Sequence, residues 1–325
     1  MNPQFKITNK MLNYIIEISK QLGLIQFELG KDLHLRKENK ILSIQSSLAI
    51  ENNSLTIEQI TDIIDGKRVL GKPQEIQEVK NAYEAYEMIT KFDPYNMDSF
   101  LKAHKIMTRD LIKSAGNFRQ KDIGVFDNEG NIVHLGARPQ FIFDLMVDLF
   151  KWSKKDNTPE LIKSCVIHYE IEAIHPFEDG NGRIGRMWQS VVLCKWNPIF
   201  EFVPIETIVY ENQQGYYKAL AKADDENDST YFIEFMLEMI FITIKKYSNK
   251  KMSDIVSDKM SDKMNEEFIK IKEYLNNNDF LTSKDAVRII GMSEATVRRY
   301  LNKYVELGLI SAKGQNKARK YYIKK

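Results

Sequence analysis

Ile174-His-Pro-Phe-Glu-Asp-Gly-Asn-Gly-Arg-Ile-Gly-Arg186 is the stretch from which the fold is read, and it holds the densest chemistry in the chain. Residues 160–173 before it read as a helix. Arg183 to Trp196 after it resume helical apolar spacing through Ile184, Met187, Trp188, Val191 and Val192. The stretch is therefore the bend of a helix–loop–helix. Gly180, Asn181 and Gly182 admit backbone conformations closed to bulkier residues. Successive N–H groups can then converge just before a helix N-terminus, where the dipole favours an anion. Such a bend cradles phosphate. Arg183 and Arg186 stand three apart on the first turn, hence on one face, and guanidinium forks match phosphate oxygens, so a polyphosphate suits the bend best. Asp179, a hard carboxylate at the loop entrance, suits magnesium arriving with those phosphates. His175, at the end of the preceding helix, is the candidate general base near neutral pH. No Gly-Lys-Ser/Thr follows the glycines, so this is not a Walker loop. His168, Glu172 and His175 also fall at i, i+4 and i+7, a metal-face spacing, but His175 lies past the helix end and no further ligand is evident.

Outward from this bend, apolar residues recur at three- and four-residue spacing. Leu12, Ile15, Ile16 and Ile18 form one series, Tyr83, Tyr86, Met88 and Ile89 a second, and Phe141, Leu145, Met146 and Leu149 a third. Eight prolines and fifteen glycines in 325 residues leave long stretches free to be helical, so a mainly α bundle is expected. One segment departs from the pattern. Ile123-Gly-Val-Phe-Asp-Asn-Glu-Gly-Asn-Ile-Val-His-Leu135 has apolar residues on both sides of an Asp127–Asn131 turn cluster and reads as a β-hairpin that could offer an edge to another polypeptide. Hydrophobic residues at 43% and charged residues at 28% exclude wholesale disorder. No apolar run reaches a membrane span and MNPQFKITNK lacks a secretory apolar block, so a soluble cytoplasmic protein is expected. Cys165 and Cys194 lie in apolar helical patterns and read as buried thiols.

Net charge is +2, unevenly spread: residues 266–325 hold thirteen Lys or Arg against seven Asp or Glu. A basic end on an acidic body predicts a separate module with its own partner. The polar text between Tyr247 and Asn265, with its near repeat of Ser-Asp-Lys-Met, reads as a linker or exposed helical connector. Expected domains are an N-terminal helical region at 1–95, a core at 96–246, a linker at 247–265 and a basic module at 266–325.

The string His175-Pro-Phe-Glu-Asp-Gly-Asn-Gly-Arg-Ile-Gly-Arg186 matches, without gap or substitution, the Fic-domain motif His-x-Phe-x-Asp/Glu-Gly-Asn-Gly-Arg-x-x-Arg. The resemblance covers roughly residues 30–245, and hairpin 123–135 corresponds to the family's target-docking flap. It implies a Fic-type helical core that transfers AMP from ATP, with Mg2+, to a Ser, Thr or Tyr hydroxyl of a target protein and of itself. Under it, His175 would deprotonate that hydroxyl, Asp179 would bind magnesium, and Phe177 would pack beneath the loop. Gly180, Asn181, Gly182, Arg183, Ile184, Gly185 and Arg186 would line the nucleotide, with Arg183 and Arg186 on the β and γ phosphates. Ser47-Leu-Ala-Ile-Glu51-Asn52 resembles the family's inhibitory motif Ser/Thr-x-x-x-Glu-Gly/Asn, on a helix at about 34–52. Asn52 stands where Gly is commoner. The implied brake pairs Glu51 with Arg186 and so denies that cation to the γ-phosphate; the same carboxylate could orient water to remove AMP, an activity of some relatives. Tyr216-Tyr-Lys-Ala-Leu220 resembles a segment in which a tyrosine lines the nucleotide pocket, which makes Tyr217 a candidate.

Downstream, Glu267–Leu275, Ser283–Ile290 and Glu294–Leu307 read as three helices, with Ser293 as an N-cap. Leu309–Lys313 and Ala318–Ile323 read as strands of a wing around Gly314-Gln-Asn316. The module resembles a winged helix-turn-helix. If DNA is its partner, Thr296, Arg298, Arg299 and Lys303 would face the groove, and Lys313, Lys317, Arg319 and Lys320 would meet phosphates. Winged helices also mediate protein contacts and dimerisation, so a homo-oligomer is compatible with it. The competing reading of the whole chain is a DNA-binding regulator whose body only senses nucleotide.

Overall fold

A computed structural model describes residues 2–25, 33–126, 132–258, 262–314 and 319–323. The mainly helical expectation holds: the chain is 69% helical, with fourteen α-helices among the described residues. Contacts divide it into two units, Met1–Tyr247 and Ser248–Lys325.

The first unit runs α1 (Asn9–Ile25), α2 (Leu33–Ile50), α3 (Ile57–Ile64), α4 (Pro73–Glu87) and α5 (Met97–Thr108). It continues through β1 (Gly124–Phe126), β2 (Ile132–Leu135), α6 (Pro139–Lys155), α7 (Glu160–Ile174), α8 (Asn181–Trp196), α9 (Ile205–Glu211), α10 (Gln213–Glu226) and the start of α11 (Thr230–Asp258). Local chemistry sets several starts. Thr56 and Gln59 form a capping box on α3, the Asn96 side chain accepts from Ser99 N at α5, and prolines open α4 and α6. α7 is buried around most of its circumference, its polar Lys163, Ser164, His168 and Glu170 included, and nearly every residue from Leu161 to Ile174 is enclosed, so it is the central helix. α8 packs along it, and their joining loop is the motif. Beneath that loop, Phe177 and Trp188 are fully buried with Phe100 between them, at 5.4 and 5.1 Å. Burial of each such ring contributes about 2–3 kcal/mol.

β1 and β2 pair antiparallel, with Val125 opposite His134 and an irregularity between Val125 and Phe126. The expected turn at 127–131 lies outside the described residues. Both cysteines are buried and free, and burial pushes the Cys165 thiol up to about 12, so neither is a nucleophile.

The stretch read as a linker or exposed helical connector is helical on either side of 259–261, because α11 continues to Asp258 and the next helix begins at Asp262. The second unit then contains α12 (Asp262–Asn276), β3 (Leu281–Thr282), α13 (Ser283–Ile290), α14 (Glu294–Glu306), β4 (Ile310–Lys313) and β5 (Lys320–Ile323), with sheet order β3-β5-β4. Gly291 takes φ 72° at the end of α13, a left-handed conformation natural to glycine, and Ser293 caps α14 by accepting from Thr296 N. Leu301, Tyr304, Ile271, Leu281 and Tyr321 fill this unit's own core. β3 had no counterpart in the sequence reading. Lys317 lies outside the described residues. No helix among the described residues is long and apolar enough to cross a membrane.

Candidate active site

The site is the α7–α8 bend. α7 ends at His175, whose left-handed φ of 51° turns the chain sharply, and Gly180 (φ 84°) opens α8. Only glycine fits there: a Cβ on Gly180 would stand 2.8 Å from Thr108 Cγ2 as well as carry a positive φ. The Asn181 side chain closes the loop on itself, accepting from Phe177 N and donating to Phe177 O, both at 2.9 Å. Asn181 thus contributes a rigid turn, and its amide is spent within the loop.

Three residues that sequence reasoning missed brace this bend. His104 on α5 stacks flat on Phe177 at 3.5 Å; it donates from Nε2 to Asp179 O at 2.9 Å while Nδ1 accepts from Gly116 N. Burial pushes its pKa down to about 4, so it is a neutral structural brace. Arg119, 4% exposed, donates to His175 O (2.7 Å), Lys121 O (2.7 Å), Ala137 O (2.5 Å) and Ile174 O (3.4 Å), which ties the His175 turn to the base of the hairpin. His134 on β2 places Nδ1 2.7 Å from Asp224 Oδ2 on α10 and Nε2 3.0 Å from Ala173 O on α7. Both partners are acceptors, so the ring must carry two protons to satisfy them, and the bond to Asp224 raises its pKa accordingly. The hairpin is thereby fastened beside His175, ring centroids 5.9 Å apart.

His175 is mostly enclosed, and burial holds its imidazole below the usual histidine range. Nδ1 lies 3.3 Å from Glu172 O, which places the proton on Nδ1 and leaves Nε2 as the basic nitrogen. Asp179 is 48% exposed at its side chain; Oδ1 accepts from Gly180 N at 2.6 Å and Oδ2 pairs with Arg183 Nη2 at 2.8 Å.

Arg186 donates from Nη2 to Glu51 Oε1 at 2.7 Å and to Ser47 O at 3.0 Å, with Nε 3.3 Å from Ser47 Oγ. Its side chain is 3% exposed, against 38% for Glu51. Burial alone would lower the guanidinium pKa, but the charge of Glu51, with Tyr216 and Glu172 beyond it, holds it above its ordinary value. Leaving a buried cation unpaired costs about 3–5 kcal/mol, so Arg186 strongly favours an anionic partner. A Cβ built on Gly182 would collide with Glu51 Oε1, which shows that the carboxylate lies directly over the glycine turn. Asn52 ends this segment at φ 65°, a left-handed position asparagine tolerates.

Arg183 is buried with Nη1 3.4 Å from Glu78 Oε1 on α4, and its Nε and Nη1 make no hydrogen bond among the described residues. Nη1 has Glu78 beside it, whereas the buried Nε has no acceptor among those residues and is a donor that an incoming phosphate would satisfy. Two candidates lie off the anion face. Ile184 is fully buried in the core with its N–H spent on Gly180 O, and Gly185 faces α7, where a Cβ would meet Glu172 Oε1 and His168 Cδ2 at 3.1 Å. Tyr217 is half exposed and donates to Ile50 O at 3.4 Å, alongside Gln213 at 3.2 Å, so it touches the end of α2. Buried Tyr216 instead contacts His168 and Glu172. His168 gives Nδ1 to Gln189 and Nε2 to Tyr216, which removes the basis for the metal-face alternative.

The Fic/DOC family profile matches residues 94–193, and that of the DeoR-like helix-turn-helix domain matches 269–314. The solved structure of a Fic family protein from Desulfovibrio desulfuricans G20 is 35% identical, aligns over 100% of this chain and 98% of its own, and superposes with a TM-score of 0.75. A probable protein adenylyltransferase of Aquifex aeolicus (strain VF5) is 24% identical over 87% of this chain and 84% of its own. A protein adenylyltransferase of Caenorhabditis elegans is 23% identical over 74% of this chain, which spans only 47% of that relative's length. Motif, helical core and full-length likeness agree, and the chain belongs to the Fic family.

Proposed function

We propose that the protein is an autoinhibited protein adenylyltransferase that moves AMP from ATP to a hydroxyl side chain of a target protein and of itself. The observation that carries this reading is the single bend that gathers an N–H turn, two buried guanidinium groups, a half-exposed carboxylate and a neutral imidazole. Attack on an α-phosphorus needs in-line placement, charge neutralisation and a base, and the bend has a group for each. His175 Nε2 takes the hydroxyl proton as the oxygen bonds to the α-phosphorus, and the bond to pyrophosphate breaks. Arg183 and Arg186 receive the β and γ phosphates respectively, and Gly182 lets the backbone approach them closely.

Among the described residues no three His, Cys, Asp or Glu side chains form a metal cage. Asp179 fits magnesium in the way expected of an ion that keeps water and phosphate ligands. Such an ion would neutralise phosphate charge, and the chain's own contribution would be the half-exposed Asp179 carboxylate, which would exchange its pairing with Arg183 for the ion.

In the braked state Glu51 occupies Arg186, and triphosphate cannot seat until the end of α2 moves. The direct test is incubation with ATP labelled at the α-phosphorus. His175→Ala should abolish label on protein while ATP still binds; incorporation at the unmutated rate would remove His175 from the mechanism.

A second activity, duplex DNA binding by the DeoR-like unit, is supported by Arg298, Arg299 and Asn302 standing exposed together on α14. Lys320 lies over the Phe280 ring at 3.7 Å and Lys303 pairs with Glu306, so neither is a fully available cation. Affinity for random duplex should fall steeply with salt, by a log–log slope of about −0.9 per phosphate neutralised. A flat salt response would rule the activity out.

A further inference from the structure

The inhibitory helix is bedded on polar residues. Asn39, Ser43, Ser46 and Ser47 fall at i, i+4, i+7 and i+8 on α2, and all four are buried. Asn39 Nδ2 donates to Phe202 O at 3.2 Å, Ser43 Oγ to Glu206 Oε2 at 2.8 Å, and Ser46 Oγ to Thr207 Oγ1 at 3.2 Å, while Ser47 meets Arg186. Apolar Ile41, Ile44 and Leu48 are buried beside this stripe. Glu206, on α9, is the node. Its carboxylate, 3% exposed, also accepts from Tyr86 OH on α4 at 2.9 Å and from Ser190 Oγ on the motif helix α8 at 3.1 Å.

A buried carboxylate held by three hydroxyls is an uncommon way to seat a helix. Apolar seams are lost at full transfer cost, whereas water can replace a hydrogen bond at a small net cost. Giving part of the seam to a hydrogen-bonded stripe therefore lowers the cost of releasing α2, while Ile41, Ile44 and Leu48 still hold it in place. We infer that Glu206 and Ser43 are positioning residues, a latch that registers α2 on α8 and α9 so that Glu51 reaches Arg186. The proposal rests on the reading of Glu51 as a brake. Neither latch residue touches nucleotide; each acts through the position of Glu51.

The test compares self-labelling from α-labelled ATP in the full chain for Ser43→Ala, Tyr86→Phe, Glu51→Gly and the double variant Ser43→Ala/Glu51→Gly, with amide exchange over residues 44–53. Ser43→Ala removes one of the three donors to Glu206 and should raise labelling roughly tenfold, the loss of one hydrogen bond to a charged group. It should also speed exchange at the end of α2. Tyr86→Phe removes another donor to the same carboxylate from α4, a helix that carries no brake; it shares one hydrogen-bond network with Ser43, so the two are coupled, but its gain in labelling should be smaller than that of Ser43→Ala. The double variant should match Glu51→Gly alone. Unchanged exchange in Ser43→Ala, equal gains in Ser43→Ala and Tyr86→Phe, or additive gains in the double variant would each overturn the latch. A rise in Glu51→Gly with none in Ser43→Ala would overturn the latch alone, whereas no rise in Glu51→Gly would overturn the brake reading beneath it.

Discussion

Glu51 Oε1 stands 2.7 Å from Arg186 Nη2, across 135 residues of sequence, and covers the Gly182 turn at the same time. One carboxylate thus holds both a cation and the space proposed for phosphate. Glu51→Gly should raise incorporation by about ten- to hundredfold, the range set by one charge-assisted hydrogen bond, and should tighten ATP binding. Calorimetric titration alongside labelling checks both effects, and unaltered ATP affinity would contradict the competition.

His175 is held neutral by burial, below the ordinary histidine value of about 6.5. The basic form therefore persists as pH falls through the usual range. The acidic limb of the labelling rate in Glu51→Gly should lie below pH ~6.5. A rate profile against pH measures it, and a limb centred above that value would contradict the assignment.

His134 shifts the other way. Its folded pKa is raised by Asp224, so its stabilisation is fully present below the unfolded value of about 6.5 and is lost as pH rises through the folded value. His134→Ala should cost about 1–2 kcal/mol at pH 6 and less at pH 9. The difference in thermal midpoint between variant and unmutated chain should shrink correspondingly. A pH-independent difference would show that the ring does not act as a cation.

Arg119 holds four backbone carbonyls around the His175 turn. Arg119→Ala should lower stability by about 2–4 kcal/mol and abolish labelling even with Glu51→Gly present. Arg119→Lys, a point charge without the fork, should restore stability in part and labelling hardly at all. Denaturant unfolding paired with the labelling assay separates these outcomes.

The parts legible in the sequence were those written in consecutive residues. The glycine bend, the helices around it, the left-handed end at Asn52 and the Ser293 cap all follow from local chemistry that neighbouring residues reveal. The braces were not legible, because each joins residues far apart in the chain that have no distinguishing local pattern. Ser43 and Glu206 are 163 positions apart, His134 and Asp224 are 90, and Arg119 and His175 are 56. A serine at a buried helix position reads as solvated until its acceptor is known. Ile184 and Gly185 show how a motif string and the folded helix can differ: they sit inside the string, but α-helical geometry turns their side-chain positions toward α7 and the core.

The most direct test of AMP transfer is a paired labelling of purified Glu51→Gly with ATP carrying the label on either the α- or the γ-phosphorus. The account predicts protein-bound label from the α position only, lost in Glu51→Gly/His175→Ala. Label arriving from the γ position, or from neither, would contradict it.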